Sequence, residues 1–205
     1  MNQHTQLKRF IAVLLIACIS IGLGIAINGI WNYIERKTHP KSYAEIISAA
    51  SVEFDVPEYI IYATIKVESN FDPEAESSAG ARGLMQMLPS TFEWLTKDHL
   101  HEDLPFPKKQ LTDPEVSIRY GTYYLSYLYK KFDYNWDTAF AAYNGGEGNV
   151  AKWLKDPRYS DGDGNLTAFP KEFKETENYV RKIHNAIETY RELYPEVTKA
   201  TQNIT

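Results

Sequence analysis

The distribution of apolar positions divides the chain into two unequal parts. Residues 10–31, FIAVLLIACISIGLGIAINGIW, run for 22 residues without a charge, and only Ser20 and Asn28 are strongly polar. That length matches the roughly 20 residues a helix needs to cross a bilayer. A buried core helix seldom stays uncharged for so long, and a cleaved signal peptide has a shorter apolar centre. The stretch LIAC, 15–18, resembles a lipoprotein cleavage box, but the residues after Cys18 stay apolar to Ile30. An uncleaved transmembrane anchor over 10–31 is the favoured reading, after a short N-terminus, 1–9, and before a linker, 32–41. Lys8 and Arg9 precede the span, and Arg36, Lys37 and Lys41 follow it with Glu35 among them. The basic residues alone therefore leave its orientation nearly balanced.

From Ser42 onward the apolar positions recur at helical spacing, and no run alternates as a strand would. Ser42 and Glu45 have the spacing of a capping box before IISAASVEF. Asp55 and Pro57 open a second helix ending near Ser69. A polar stretch with Pro73, Gly80 and Gly83 leads to LPSTFEWL. Asp113-Pro114 starts a long helix to about Phe132, with Ile118, Gly121, Leu125, Leu128 and Phe132 on one stripe. Gly121 within that stripe predicts a close helix crossing. Asp137 is expected to cap TAFAAYN, GGEGN to turn, and VAKWL to form a short helix. After a loop over 155–170, a last helix spans about Glu172 to Tyr194, with the stripe Thr176, Tyr179, Ile183, Ile187, Tyr190. Residues 196–205 read as a frayed tail. The fold class is mainly α, one helical domain over 42–195 preceded by a single transmembrane helix.

Composition narrows the function. The formal charge is −5 in 205 residues, which gives no electrostatic support to nucleic-acid binding. Cys18 is the single cysteine, so the folded part has no disulfide of its own. The fifteen Tyr and four Trp suit either an aromatic-rich core or a groove that stacks on sugar rings.

One carboxylate stands out. On a wheel of about 100° per residue, Pro57, Ile61, Thr64, Ile65 and Glu68 share a narrow sector. Glu68 falls about 20° from Ile61, near the middle of the apolar stripe, while Lys66 faces away. Desolvation there would raise its pKa and leave a protonated group able to act as a general acid. The alternative is an ordinary glutamate at a helix end, reaching solvent or a lysine.

The surroundings of Glu68 bear on that choice. The segment ESNFDPEAESSAGARGLMQMLPST holds Glu68-Ser69, then Ser77, then Gly80, Ala81, Gly83, Leu84, Met85 and Gln86. AYNGG follows at Ala142–Gly146, and ETENYV at Glu175–Val180. These four motifs, in this order over residues 68–180, resemble the soluble-lytic-transglycosylase type of lytic transglycosylase, within the lysozyme-like superfamily. Leu88 stands where that pattern commonly has methionine.

The resemblance implies a lysozyme-like helical domain with a substrate groove. It implies Glu68 as the catalytic acid, and Ser77, Gln86, Tyr143, Asn144, Glu175 and Tyr179 as substrate-binding residues. Tyr143 is expected to aim its hydroxyl at Glu68, Asn144 to shape the site, and Glu175 and Tyr179 to contact the glycan or its peptide stem. The residues alone allow blander roles: Gly80 and Gly83 as loop punctuation, Asn144 or Gly145 as a left-handed helix cap, Glu175 and Tyr179 as an exposed i,i+4 pair. Met85 and Met87 read as packing residues.

Retaining and inverting glycosidases use two carboxyl groups. Here Asp72, Glu74, Glu76 and Asp133 sit in polar contexts and none stands out as a nucleophile, so a single-acid mechanism is expected. By resemblance, Glu68 protonates the MurNAc–GlcNAc glycosidic oxygen and then acts as base on the muramyl C6 hydroxyl, giving a 1,6-anhydromuramyl end without water. No cofactor or metal is implied. The expected partners are peptidoglycan strands, the cytoplasmic membrane through the N-terminal helix, and cell-wall or secretion machinery. That places the catalytic domain on the outer side of a bacterial cytoplasmic membrane. A hydrolytic muramidase of the same fold and a non-catalytic glycan-binding or secretion-scaffold module are the alternatives.

Other signals are weak. DGDGN, 161–165, opens like a calcium loop but lacks its sixth-position glycine and reads as a polar turn. His99-x-His101 has no third ligand in view. Lys108-Lys109 and Lys130-Lys131 read as solvated faces.

Overall fold

The structure is a computed structural model that describes residues 3–102 and 110–199; Lys108-Lys109 lie outside them. The chain divides into two units, Met1–Pro40 and Lys41–Thr205.

The first unit is one helix, α1 (Gln3–Thr38). Its segment Leu7–Thr38 is long and apolar enough to cross a membrane, and its apolar side chains are exposed rather than packed. The expected linker is helical as far as Thr38.

The second unit is built from helices, with no strand among the described residues beyond isolated bridges. They are α2 (Ala44–Phe54), α3 (Glu58–Ser69), α4 (Pro89–Trp94), α5 (Pro114–Lys131), α6 (Trp136–Gly145), α7 (Glu147–Trp153), α8 (Lys174–Leu193) and α9 (Pro195–Lys199). A π-turn at Leu95–His99 extends α4, and a 3₁₀ turn at Lys171–Phe173 leads into α8.

The central packing is α3 against α8, with α2 and α6 joined through α5. Ile60, Ile61, Ala63 and Ile65 of α3 are buried, and Tyr62 stacks on Tyr190 of α8 at 5.2 Å between ring centroids. Burying such apolar and aromatic side chains is the main favourable contribution to the fold. The stripes expected on α5 and α8 face this core. Only Ile187 among them is partly exposed.

Several helix ends differ from expectation. Ser42 makes no capping box: Tyr43 occupies the cap of α2 in the left-handed region, without a side-chain cap bond. Asp55 closes α2 instead of opening α3, and its amide donates to the Ser51 carbonyl. Asn135, not Asp137, caps α6 by accepting from the Thr138 amide, while Asp137 pairs with His184 at 2.7 Å. Glu147-Gly148-Asn149, expected in a turn, belong to α7. Gly146 (φ 86°), rather than Asn144 or Gly145, ends α6. The expected tail is structured at its start: Val197 of α9 is buried, and Glu196 pairs with Lys41 at 2.9 Å. Asp113 caps α5 as expected, accepting from the amides of Glu115 and Val116. Across these ends, residues one or two positions apart compete for the same free amides, and the backbone path decides between them.

Candidate active site

Helix α3 ends at Ser69, and Asn70 caps it. Asn70 (φ 51°) and Phe71 (φ 67°) both take left-handed conformations, and the Asn70 amide donates to the Lys66 carbonyl. The chain turns back there, leaving Glu68 in the last turn beside the segment that follows.

That segment is fixed by hydrogen bonds rather than by regular structure. Ser77 closes a small turn: its hydroxyl accepts from the Ala81 amide at 3.0 Å and its carbonyl from the Gly80 amide at 2.9 Å. Arg82 and Met87 exchange two backbone hydrogen bonds of 3.0 Å, which brackets the turn Gly83–Leu84–Met85–Gln86. Gly83 has φ 77°, and a Cβ there would stand 1.8 Å from the Leu111 carbonyl oxygen. Only glycine fits that approach, and what comes close is the protein's own backbone.

Three side chains from three helices hold the turn. Ser69 of α3 donates to the Leu84 carbonyl at 2.8 Å. Ser117 of α5 accepts from the Met85 amide at 3.1 Å. Tyr143 of α6 donates to the Met85 carbonyl at 2.7 Å. Leu84 and Met85 are fully buried, and Met85 packs where Gly121 has no side chain: a Cβ on Gly121 would lie 2.4 Å from its sulfur. The close approach expected at Gly121 is therefore real, but a loop side chain makes it, not a second helix.

A groove of about 1200 Å³ opens over this turn. Ser77, Ala81, Gln86 and Leu88 of the loop line it together with Tyr124 of α5 and Tyr143 and Asn144 of α6. Residues of the 3₁₀ turn and α8, among them Glu175, Asn178 and Tyr179, also line the groove, and so does Glu68. All seven residues expected in the site border this one groove. A smaller polar depression of about 440 Å³ around Asp133, Asp137 and Asp163 contains none of them.

Glu68 is partly buried, and its main polar contact is to Tyr179, whose hydroxyl donates to Oε1 at 2.7 Å. Burial pushes the carboxyl up to about 7; the Tyr179 hydrogen bond, which favours the ionised form, opposes that rise. Tyr143 and Tyr179 are themselves held well above the usual phenol range, first by burial and then by the nearby Glu68 charge, so both stay neutral donors.

The roles within the groove are distributed differently from expectation. Tyr179, not Tyr143, donates to Glu68; Tyr143 spends its hydroxyl on the Met85 carbonyl. Tyr179 is thus buried against Glu68 and not paired with Glu175, which is exposed. The Gln86 amide nitrogen donates to the carbonyls of Ala75 and Gly83, at 2.9 and 3.0 Å, so its side-chain oxygen is the end left for a ligand. Asn144 accepts from Thr176 at 2.9 Å, tying α6 to α8. Met85 and Met87 are packing residues, as expected. Ser117 and Tyr124 belong to none of the four sequence motifs. Ser117 immediately precedes Ile118 of the buried stripe, and a buried hydroxyl beside such a stripe signals a backbone group in need of a partner.

The remaining signals resolve as structure. Asp161 accepts from the amides of Asp163 and Asn165, which makes 161–165 a polar turn. His99 packs edge-on against Trp94, with ring centroids 4.2 Å apart. Glu76 pairs with Arg82 at 2.5 Å, and Lys131 with Glu147 at 3.0 Å.

A helical domain with an acidic group at the end of one helix and a groove closed by AYNGG and ETENYV defines the lytic-transglycosylase class of lysozyme-like folds. The chain belongs to the transglycosylase SLT domain family, whose model matches residues 45–164. It is 33% identical over 156 residues to the soluble lytic murein transglycosylase of Escherichia coli K12, covering 75% of this chain and 23% of that protein. It is 31% identical over 128 residues to the membrane-bound lytic murein transglycosylase C of Photorhabdus laumondii, covering 59% and 35%. The crystal structure of the 70-kDa soluble lytic transglycosylase of E. coli superposes with a TM-score of 0.69 at 31% identity, over 77% of this chain and 25% of that one. An inactive Glu→Gln mutant of the Pseudomonas aeruginosa lytic transglycosylase Slt gives a TM-score of 0.64 at 30% identity, over 75% and 24%. The chain thus spans about a quarter of the length of the soluble relatives it matches.

Proposed function

We propose that this chain is a membrane-tethered lytic transglycosylase that cleaves the β-1,4 bond between MurNAc and GlcNAc in peptidoglycan. The observation that carries the reading is Glu68: a partly buried carboxyl, raised to about 7, held at one oxygen by Tyr179 and open to a groove of about 1200 Å³. An acid of that pKa is largely protonated near neutral pH and still a competent base once it has given up its proton.

The reaction inferred for Glu68 is the one the family resemblance implies. With Oε1 engaged by Tyr179, the other oxygen carries the proton to the glycosidic oxygen. The C1–O bond breaks and the leaving sugar takes the proton as a hydroxyl. The neighbouring N-acetyl group stabilises the developing positive charge at C1. The Glu68 carboxylate then accepts the proton of the muramyl C6 hydroxyl, and the C6 oxygen bonds to C1. Glu68 ends protonated, the product carries a 1,6-anhydro ring, and no water is consumed. Gln86 through its side-chain oxygen, Ser77, Asn144 and Glu175 are the polar groups placed to hold the glycan.

The apolar helix Leu7–Thr38 supports a membrane tether, and one relative is itself named membrane-bound. A cell-wall substrate requires the N-terminus inside the cytoplasmic membrane and the domain outside, where cell-wall or secretion machinery would be its neighbours.

The test is digestion of purified sacculi by the wild type and by Glu68→Gln, read by product masses. Wild-type products with anhydro ends, and loss of cleavage in Glu68→Gln of at least about 100-fold, are expected. Products one water heavier would make it a muramidase. Cleavage unaffected by the substitution, or none by the wild type, would overturn the reading.

A further inference from the structure

Helix α6 has the groove at its end and the smaller depression, of about 440 Å³, at its start. The depression is lined by the chain that joins α5 to α6 and by Asp163, Gly164 and Asn165 of the polar turn, and it shares no residue with the groove. Trp136 and Tyr143 stand seven positions apart on α6, which is about 10 Å along a helix axis. The cleavage chemistry uses nothing in the depression.

Two aromatic rings in it are held rigidly. Trp136 stacks on Tyr129 with centroids 3.9 Å apart and planes 12° from parallel, and Tyr134 stands edge-on to Tyr129 at 5.4 Å. Tyr134 is 66% exposed, and among the described residues of the domain it is the one aromatic side chain left mainly in solvent. Its backbone is strained to present it there: Asp133 (φ 52°) and Tyr134 (φ 60°) are both left-handed, a conformation that a bulky side chain seldom adopts. The two lining segments are braced against each other, since Asn135 Nδ2 donates to Asn165 Oδ1 at 2.6 Å. Asp137 is engaged by His184 at 2.7 Å. Asp133 and Asp163 are the further carboxylates beside the rings.

This chemistry selects among ligands. Three carboxylates and no Lys or Arg line the depression, which repels anions. Among the described residues no three acidic or histidine side chains converge as metal ligands, so the carboxylates do not meet at one point. Separate acceptors beside an exposed ring suit a neutral pyranose, whose C–H face can lie on the ring while its hydroxyls donate to the carboxylates. We propose that Tyr134 and Trp136, with Asp133 and Asp163, form a second, non-catalytic saccharide site that takes a neutral N-acetylhexosamine unit of a glycan strand. The identity of that strand rests on the peptidoglycan reading above. Of the two sugars of peptidoglycan, the muramyl unit carries an acidic substituent, so the site favours N-acetylglucosamine. Held on the same helix as the groove, the site raises the local concentration of strand where Glu68 acts.

The test uses the full chain in detergent and two substitutions at exposed positions, Tyr134→Ala and Asp163→Ala. Binding is read in the Glu68→Gln background from the NMR signal of the Trp136 indole N–H, assigned with Trp136→Phe, on addition of chitotetraose, which contains only N-acetylglucosamine. The signal is expected to shift, and each substitution to weaken the response about ten-fold. In the active protein, each should raise KM on sacculi about ten-fold, with kcat unchanged and with KM on a short soluble peptidoglycan oligosaccharide unchanged. No shift of the Trp136 signal, or variants that bind and cleave as the wild type does, would overturn the site. A shift with spermidine and none with chitotetraose would make the depression a cation site and overturn the saccharide assignment. An equal rise in KM on sacculi and on the soluble oligosaccharide would mean that the substitutions act through the groove, and would overturn a separate site. Failure of the wild type to cleave either substrate would instead sink the peptidoglycan reading, while the Trp136 response to chitotetraose still decides the saccharide site.

Discussion

The Tyr179 hydroxyl donates to Glu68 Oε1 at 2.7 Å across the contact between α3 and α8, joining residues 111 positions apart in sequence. It orients the carboxyl and lowers its pKa against the larger effect of burial.

Removing that donor gives the first prediction. In Tyr179→Phe the opposing hydrogen bond is gone, so the Glu68 pKa rises above about 7. Since the acid form begins the reaction, activity is lost as pH rises through this pKa. The alkaline limb of the kcat profile should therefore move to higher pH in Tyr179→Phe, with kcat at neutral pH down roughly ten-fold from lost orientation. A limb that stays in place would mean that Tyr179 does not act through Glu68.

Stability carries the same signature. Glu68 has a raised pKa in the fold, about 7, against an ordinary 4.5 without it. Between those values the folded chain keeps a proton that the unfolded chain has released. Its contribution is complete below pH 4.5 and declines as pH rises through 7. The decline amounts to at most about 3 kcal/mol. Denaturant unfolding from pH 4 to 9 should show this loss in the wild type. Glu68→Gln should lack it and be the more stable of the two at pH 8.

Glycine substitutions should separate three environments of the turn region. Gly83→Ala meets the Leu111 carbonyl at 1.8 Å with φ 77°, and should fail to fold or lose more than about 3 kcal/mol. Gly121→Ala meets the flexible Met85 side chain, and should cost about 1–3 kcal/mol and lower activity by displacing the turn. Gly80→Ala has open space around its Cβ and only its φ of 82° to oppose it, and should cost about 1 kcal/mol. Thermal melts of the three variants check the order.

Much of this arrangement was legible in the chain. The 3.6-residue period located α3, α5 and α8, because their apolar stripes are what the core buries; the same period singled out Glu68. The motifs then gathered the site residues into one groove. What the sequence could not supply was the choice among equivalent partners. Two tyrosines with the same chemistry stand near Glu68, and only the crossing of α3 on α8 assigns the hydrogen bond to Tyr179 rather than Tyr143. Asn135 and Asp137 compete likewise for the start of α6, and the backbone path gives the cap to Asn135. Ser117 is not legible from the sequence, because its partner, the Met85 amide, lies 32 residues away in a loop without periodicity.

The most direct measurement is an NMR titration of the Glu68 side-chain carboxyl carbon in the wild type, with Glu68→Gln used to assign the signal. The carboxyl is predicted to titrate with a midpoint near 7. A midpoint near 4.5, the value of a hydrated glutamate, would contradict the role of Glu68 as the proton donor.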